Sequence, residues 1–191
     1  MISKALTLGK FDHIASNTNL LVAAIDFGTT YSGWAISFKH EYKSNPTKVS
    51  GKHYYGGRVA SLKAPTKILI QPDGRTFDSF GYEAEDKYIE LTRKGGHENW
   101  YYFSRFKMML YEKTGLTRNI KLEDETHKQL VAKTVFALAI RYLKDEMLKE
   151  SQNQLTSEQL KEEDINWVLT VPAIWNDAAK QFMREAAVKV G

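Results

Sequence analysis

The sequence predicts an α/β fold, a mixed sheet with helices on its faces, and three observations carry that expectation. Residues 20–25 are a continuous apolar run, as expected of a strand covered on both sides. A turn-forming cluster, Asp26-Phe27-Gly28-Thr29-Thr30, follows it, and Trp34, Ile36 and Phe38 then alternate with Gly33, Ala35 and Ser37. Far downstream, Ile165–Val171 reads as a second buried strand, ended by Pro172 and followed by a helical stretch. Strands alternating with helices pack most simply as a sheet flanked by helices.

The elements follow in order. Residues 1–19 read as a flexible polar leader without the apolar centre of a signal peptide. The first two strands, joined by a short turn, predict an antiparallel hairpin. Residues 39–57 read as a loop. Lys67-Ile68-Leu69-Ile70 is a short strand, Gln71-Pro72-Asp73-Gly74 a turn, and Thr76-Phe77 the returning partner. A helix from Tyr82 places Ala84, Tyr88 and Leu91 on one face and ends before Gly95-Gly96. Residues 100–111 predict a second helix, aromatic and basic. A third is expected from Thr126, where Thr126 and Gln129 have capping-box spacing, to about Lys149. Residues 150–163 form a polar connection. After the strand at 165–171, Asn176 or Asp177 caps a last helix with Ala178, Phe182, Ala186 and Val190 on one stripe. A parallel sheet should continue beyond Gly191, so the chain reads as interrupted there.

Composition narrows the function classes. At 191 residues, 42% hydrophobic and 26% charged, the chain can bury one sizeable core. The net charge of +4 is dispersed among Asp and Glu and does not mark a nucleic-acid binder. Aromatic and basic residues do interleave at Trp100-Tyr101-Tyr102-Phe103, Arg105, Lys107 and Lys113, a pattern that at helical spacing describes a core with a solvated rim. No apolar run is long enough to span a membrane. The absence of cysteine excludes disulfides and thiolate metal sites and fits a cytoplasmic protein. The five histidines have no ligand-like spacing.

The chemistry sits in the first turn. A tight glycine turn lets backbone amides approach phosphate oxygens, and neighbouring hydroxyls add donors. Gly28, Thr29 and Thr30 supply that set, and Asp26 at the strand mouth could hold hydrated magnesium. The plain alternative is a hairpin turn with an Asx-type hydrogen bond from Asp26. Neither a P-loop nor a dinucleotide fingerprint occurs. Asp26-Phe27-Gly28 spells the kinase magnesium tripeptide, but only 25 residues precede it, too few for the upstream kinase elements.

Ile25-Asp26-Phe27-Gly28-Thr29-Thr30-Tyr31-Ser32 resembles the first phosphate-binding motif of the 70-kDa heat-shock proteins. Leu169-Thr170-Val171-Pro172-Ala173-Ile174-Trp175-Asn176-Asp177 is similar to their T-V-P-A-x-x-N-D segment, as is the following Arg184-Glu185-Ala186-Ala187. Trp175, Phe106-Lys107-Met108 and Gly33-Trp34 look most like the divergent 12A/12B branch of that family.

The resemblance implies an actin-like ATPase (ribonuclease H-like) fold, of which residues 20–191 would form the first lobe. Its base would come from 20–39 and 120–191, with a smaller α+β subdomain over about 40–119. It also implies ATP/ADP and Mg2+ as cofactors. Asp26 would organise the magnesium shell, and Gly28, Thr29, Thr30 and Tyr31 would cradle the β- and γ-phosphates. Lys107, with Arg105 as the alternative, would reach the γ-phosphate, and Pro172 would relay nucleotide state. Lys180 lies near a basic relay position but reads rather as an exposed helix lysine. The second phosphate loop and the adenosine pocket would lie beyond Gly191. A non-catalytic nucleotide-sensing or protein-interaction module is the competing expectation.

Overall fold

The structure, a computed structural model, describes residues 3–7, 19–56, 59–112, 119–155, 159–173 and 175–189. The strands are β1 (Ser3–Thr7), β2 (Leu21–Asp26), β3 (Tyr31–Phe38), β4 (Ser50–Gly51), β5 (Tyr54–Gly56), β6 (Val59–Ser61), β7 (Ala64–Pro65), β8 (Lys67–Ile70), β9 (Phe77–Phe80), β10 (Tyr101–Ser104), β11 (Lys121–Glu123), β12 (Gln129–Val131) and β13 (Ile165–Pro172). The helices are α1 (Lys39–Ser44), α2 (Tyr82–Arg93), α3 (Met109–Glu112), α4 (Ala132–Gln154) and α5 (Asp177–Val188).

The main sheet runs β1-β13-β2-β3-β4, with β7 also paired to β3. Among its described strands β13 and β2 pair in parallel and the other pairs are antiparallel, so the sheet is mixed as expected. The β2–β3 hairpin sets Asp26 opposite Gly33 and Ile25 opposite Trp34. Alternation then sends Leu21, Ala23, Ile25, Trp34, Ile36 and Phe38 into the core. Helix α4 lays Val135, Phe136, Ala139, Ile140, Leu143 and Met147 against β2, β3 and α5. Phe136 is the hub: its ring centroid lies 5.8 Å from Phe27, 5.1 Å from Phe106 and 5.2 Å from Phe182. Each large side chain buried here contributes about 1.5–3 kcal/mol. A smaller sheet, β10-β8-β9, carries α2, where Tyr88 stacks on Tyr102 at 4.1 Å between centroids.

Several expectations change. Residues 101–104 are a strand, and a helix over 100–111 does not form; a 3-10 turn, Phe106–Met108, and the short α3 follow instead. Tyr102 packs towards α2 while Phe103 enters the main core, so both strand faces are covered and the aromatic run loses its alternation. Thr126 does not cap a helix. The Asp124 carboxylate accepts the Thr126 and Lys128 amides at 2.9 and 2.8 Å, closing the β11–β12 hairpin, and α4 starts only at Ala132. It also runs past Lys149 to Gln154. The 39–57 stretch holds α1, β4 and β5 rather than a bare loop. On α5 the buried stripe is Ala179, Phe182, Met183 and Ala186, with Ala178 exposed. Within the expected leader, Ser3–Thr7 lies antiparallel on β13, from Ser3 opposite Pro172 to Thr7 opposite Val168. Residues 8–18, Lys113, Ile174, Val190 and Gly191 lie outside the described residues.

Candidate functional site

The turn between β2 and β3 is held by a closed set of hydrogen bonds. Gly28 N–H donates to Ser32 Oγ at 3.0 Å, and Thr66 Oγ1 donates to the Gly28 carbonyl at 2.9 Å. Ser32 Oγ and Thr66 Oγ1 are 2.8 Å apart, and both residues are buried. Thr66 N–H donates to the Thr30 carbonyl at 2.8 Å, and the Thr66 carbonyl accepts Arg105 N–H at 3.3 Å. Thr66 therefore ties the turn to the segment that carries Lys107. Glycine is required at position 28, because a Cβ there would lie 2.0 Å from the Tyr31 carbonyl oxygen.

Beside the turn lies a cavity of about 190 Å³. Asp26, Phe27, Gly28 and Thr29 form one wall, Lys107 and Tyr111 a second, and Thr170, Val171 and Pro172 a third. Four elements thus converge here: the ends of β2 and β13, the 3-10 turn and α3. The volume falls below the 300–1,000 Å³ typical of whole-ligand pockets and suits a small oxyanion group.

Asp26 terminates β2 with its carboxylate at the cavity. Thr170 Oγ1 donates to its Oδ1 at 2.5 Å, and Lys63 Nζ pairs with its Oδ2. Burial pushes the Asp26 carboxyl up, but the Lys63 ammonium, the Thr170 hydroxyl and the Lys107 charge outweigh it and hold the group below the usual range. Lys107 is only 3% exposed, and its ammonium donates to the Phe27 carbonyl. Its Nζ sits 5.6 Å from the Phe27 ring centroid and 4.7 Å from that of Trp175. Burial drives its pKa down to about 8, against the upward pull of Asp26.

Of the residues singled out in the sequence, Asp26, Gly28, Thr29, Lys107 and Pro172 line this one cavity. Thr30 and Tyr31 are exposed and lie outside its lining, and the Gly28 amide is already taken up by Ser32. Among the described residues nothing engages the Thr29 amide or hydroxyl, so Thr29 brings open donors to the cavity lining. Arg105 is exposed, in left-handed conformation with φ 47°. Lys180 pairs with Asp177 on α5 at 3.3 Å. Two partners of Asp26 went unsingled in the sequence: Lys63, which no periodicity marks, and Thr170, which lies inside the second quoted motif. Tyr102 and Phe103 are buried, which removes them as an open platform for base stacking. Among the described residues no helix is long and apolar enough to cross a membrane.

A carboxylate, a hydroxyl, an open amide and a buried ammonium around a small cavity suit phosphate oxygens with a hard cation beside them. The oxygen donors and the cavity's size fit a phosphate–magnesium group.

No family model matches the chain. It is 43% identical over 176 residues to heat shock 70 kDa protein 12A of Mus musculus, covering 91% of this chain and 25% of that protein. It is 44% identical over 175 residues to heat shock 70 kDa protein 12B of Homo sapiens, covering 90% of this chain and 24% of that protein. The human 12A protein is 42% identical over 174 residues. The chain spans about a quarter of the length of these relatives. With nine-tenths of its residues aligned at this identity, the chain is a relative of the 70-kDa heat-shock proteins in their 12A/12B branch.

Proposed function

We propose that this chain is the first lobe of an actin-like, ribonuclease H-like nucleotide-binding domain, and that its cavity receives the phosphate tail of ATP or ADP. The base of the lobe is 20–39 with 120–191, and about 40–119 forms the upper subdomain. The observation that carries the reading is the meeting of Asp26, Thr29 and Lys107 on one small cavity from separate elements. The similarity to the 12A/12B proteins supports it.

In this reading Thr29 offers its amide and hydroxyl to phosphate oxygens, with Thr30 and Tyr31 at the rim. Gly28 shapes the turn. Magnesium, held through water by Asp26, would neutralise phosphate charge. Lys107, still mostly protonated at neutral pH with a pKa of about 8, presents a poorly hydrated ammonium to the terminal phosphate. Burial strengthens that charge's effect because few waters screen it. Pro172, which ends β13 and lines the same cavity, would pass a change at the phosphate on to β13 and the turn to Trp175. A complete two-lobed protein would act as an ATP-hydrolysing, chaperone-like protein of the cytoplasm. This lobe alone, with one wall of the cleft, would bind ATP weakly and hydrolyse it negligibly.

The test is ATP turnover by a complete two-lobed protein, with and without Lys107→Ala. A loss of at least tenfold in turnover supports catalysis through Lys107. Absence of turnover in the unsubstituted protein, with nucleotide bound, contradicts the hydrolytic reading and leaves a sensing module.

A further inference from the structure

Lys107 is held between two aromatic faces. Its Nζ lies within the 6 Å range for cation–π attraction of both Trp175, at 4.7 Å, and Phe27, at 5.6 Å. Trp175 is 4% exposed and braced by Tyr111, whose ring meets it edge-on at 5.5 Å between centroids. Its backbone N–H donates to the Pro172 carbonyl at 3.2 Å, so the turn after β13 fixes where the indole stands. The indole Nε1 is buried and has no hydrogen-bond partner among the described residues. A buried donor without a partner is a cost that phenylalanine would avoid. What tryptophan adds at this position is its π face, the strongest of the aromatic side chains towards a cation.

We propose that Trp175 is a positioning residue: its indole face fixes the Lys107 ammonium against the Phe27 carbonyl at the edge of the cavity. The cage stands on geometry alone, while its purpose rests on the phosphate-binding reading above. It couples the turn after β13 to the cation, so that a shift of Pro172 would move the wall on which Lys107 lies.

The cage is tested by labelling Lys107 with a small amine-reactive ester and reading the rate by peptide mass spectrometry. The chain is made with tryptophan replaced by mono-, di- and tetrafluorotryptophan, which keep the ring's shape and progressively weaken its face. Lys128, whose ring partner is the unaltered Tyr101, is the internal reference. The Lys107 rate should rise stepwise, by about 2- to 30-fold across the series, the range that a cation–π contact spans. Trp175→Phe should raise it less than Trp175→Leu. A rate flat across the fluorine series, or equal rises for Phe and Leu, would overturn the cage and leave Trp175 as simple packing. A separate arm adds magnesium-ATP to the unsubstituted chain. Protection of Lys107 supports the cage's purpose; no protection at millimolar nucleotide, with the fluorine trend intact, overturns that purpose and keeps the contact.

Discussion

Replacing Thr66 with valine removes one hydroxyl and almost nothing else, because the two side chains share a shape. Thr66 is 1% exposed, and its hydroxyl engages two partners, the Gly28 carbonyl at 2.9 Å and Ser32 Oγ at 2.8 Å. A net contribution of about 0.5–1.5 kcal/mol per buried hydrogen bond gives a loss of about 2 kcal/mol. Among the described residues the Gly28 carbonyl would keep only the long contact from Ser32 Oγ, at 3.4 Å. For a chain of this length the loss corresponds to a fall in Tm of about 4–8 °C. Urea unfolding of wild type, Thr66→Val and Thr66→Ser measures it. Serine keeps the hydroxyl and gives up one methyl, so it should lose about 1 kcal/mol. A valine variant within about 0.5 kcal/mol of wild type, or serine worse than valine, would refute the claim that this hydroxyl staples the β2–β3 turn to Thr66.

Other substitutions separate shape, charge and packing. Gly28→Ala would press a Cβ to 2.0 Å from the Tyr31 carbonyl, so circular dichroism melting should show a loss of more than about 2 kcal/mol, together with lost nucleotide binding. Lys107→Met should stabilise the chain at pH 7. The folded-state pKa of about 8 lies below the unfolded value of 10.5, so the proton costs about 3 kcal/mol below pH 8. Wild-type stability should therefore rise with pH between about 8 and 10.5, and the advantage of methionine should vanish over that window in pH-dependent urea titrations. Asp26 shifts the opposite way: its lowered carboxyl contributes stability above its unfolded value that is lost as pH falls through the folded one, so Asp26→Asn should flatten the acid limb of the stability curve. Phe136→Ala, at the centre of three ring contacts, should cost about 3–5 kcal/mol by the same unfolding measurement.

The parts of the fold that the sequence disclosed are those with local causes. The β2–β3 hairpin, the 67–70 strand with its turn, and the β13-to-α5 passage each combine a short periodic run with a turn or cap residue; Asn176 caps α5 by accepting Ala179 N–H at 2.9 Å. Where both faces of an element are covered, as for Tyr102 and Phe103, periodicity vanishes and a strand reads as a helix. Thr126 had a cap's spacing, yet Asp124 engaged its amide first. The site divides along the same line. Its turn was legible because glycine and hydroxyl residues are adjacent, whereas its electrostatics join residues far apart: Thr170 meets Asp26 across 144 positions, Lys107 meets Phe27 across 80, and Lys63 meets Asp26 across 37. Only the chain's tertiary pairing brings those charges together, and a single sequence carries no periodic trace of it.

The most direct test of the account is an amide-resolved NMR titration of this chain with magnesium-ATP and, in parallel, with magnesium-free ATP. The expected result is that the Gly28, Thr29 and Lys107 signals shift first and together, with a dissociation constant weaker than micromolar, and that omitting magnesium weakens the response. Shifts confined to other surfaces, or an unmoved Thr29 amide at saturating nucleotide, would contradict the phosphate site.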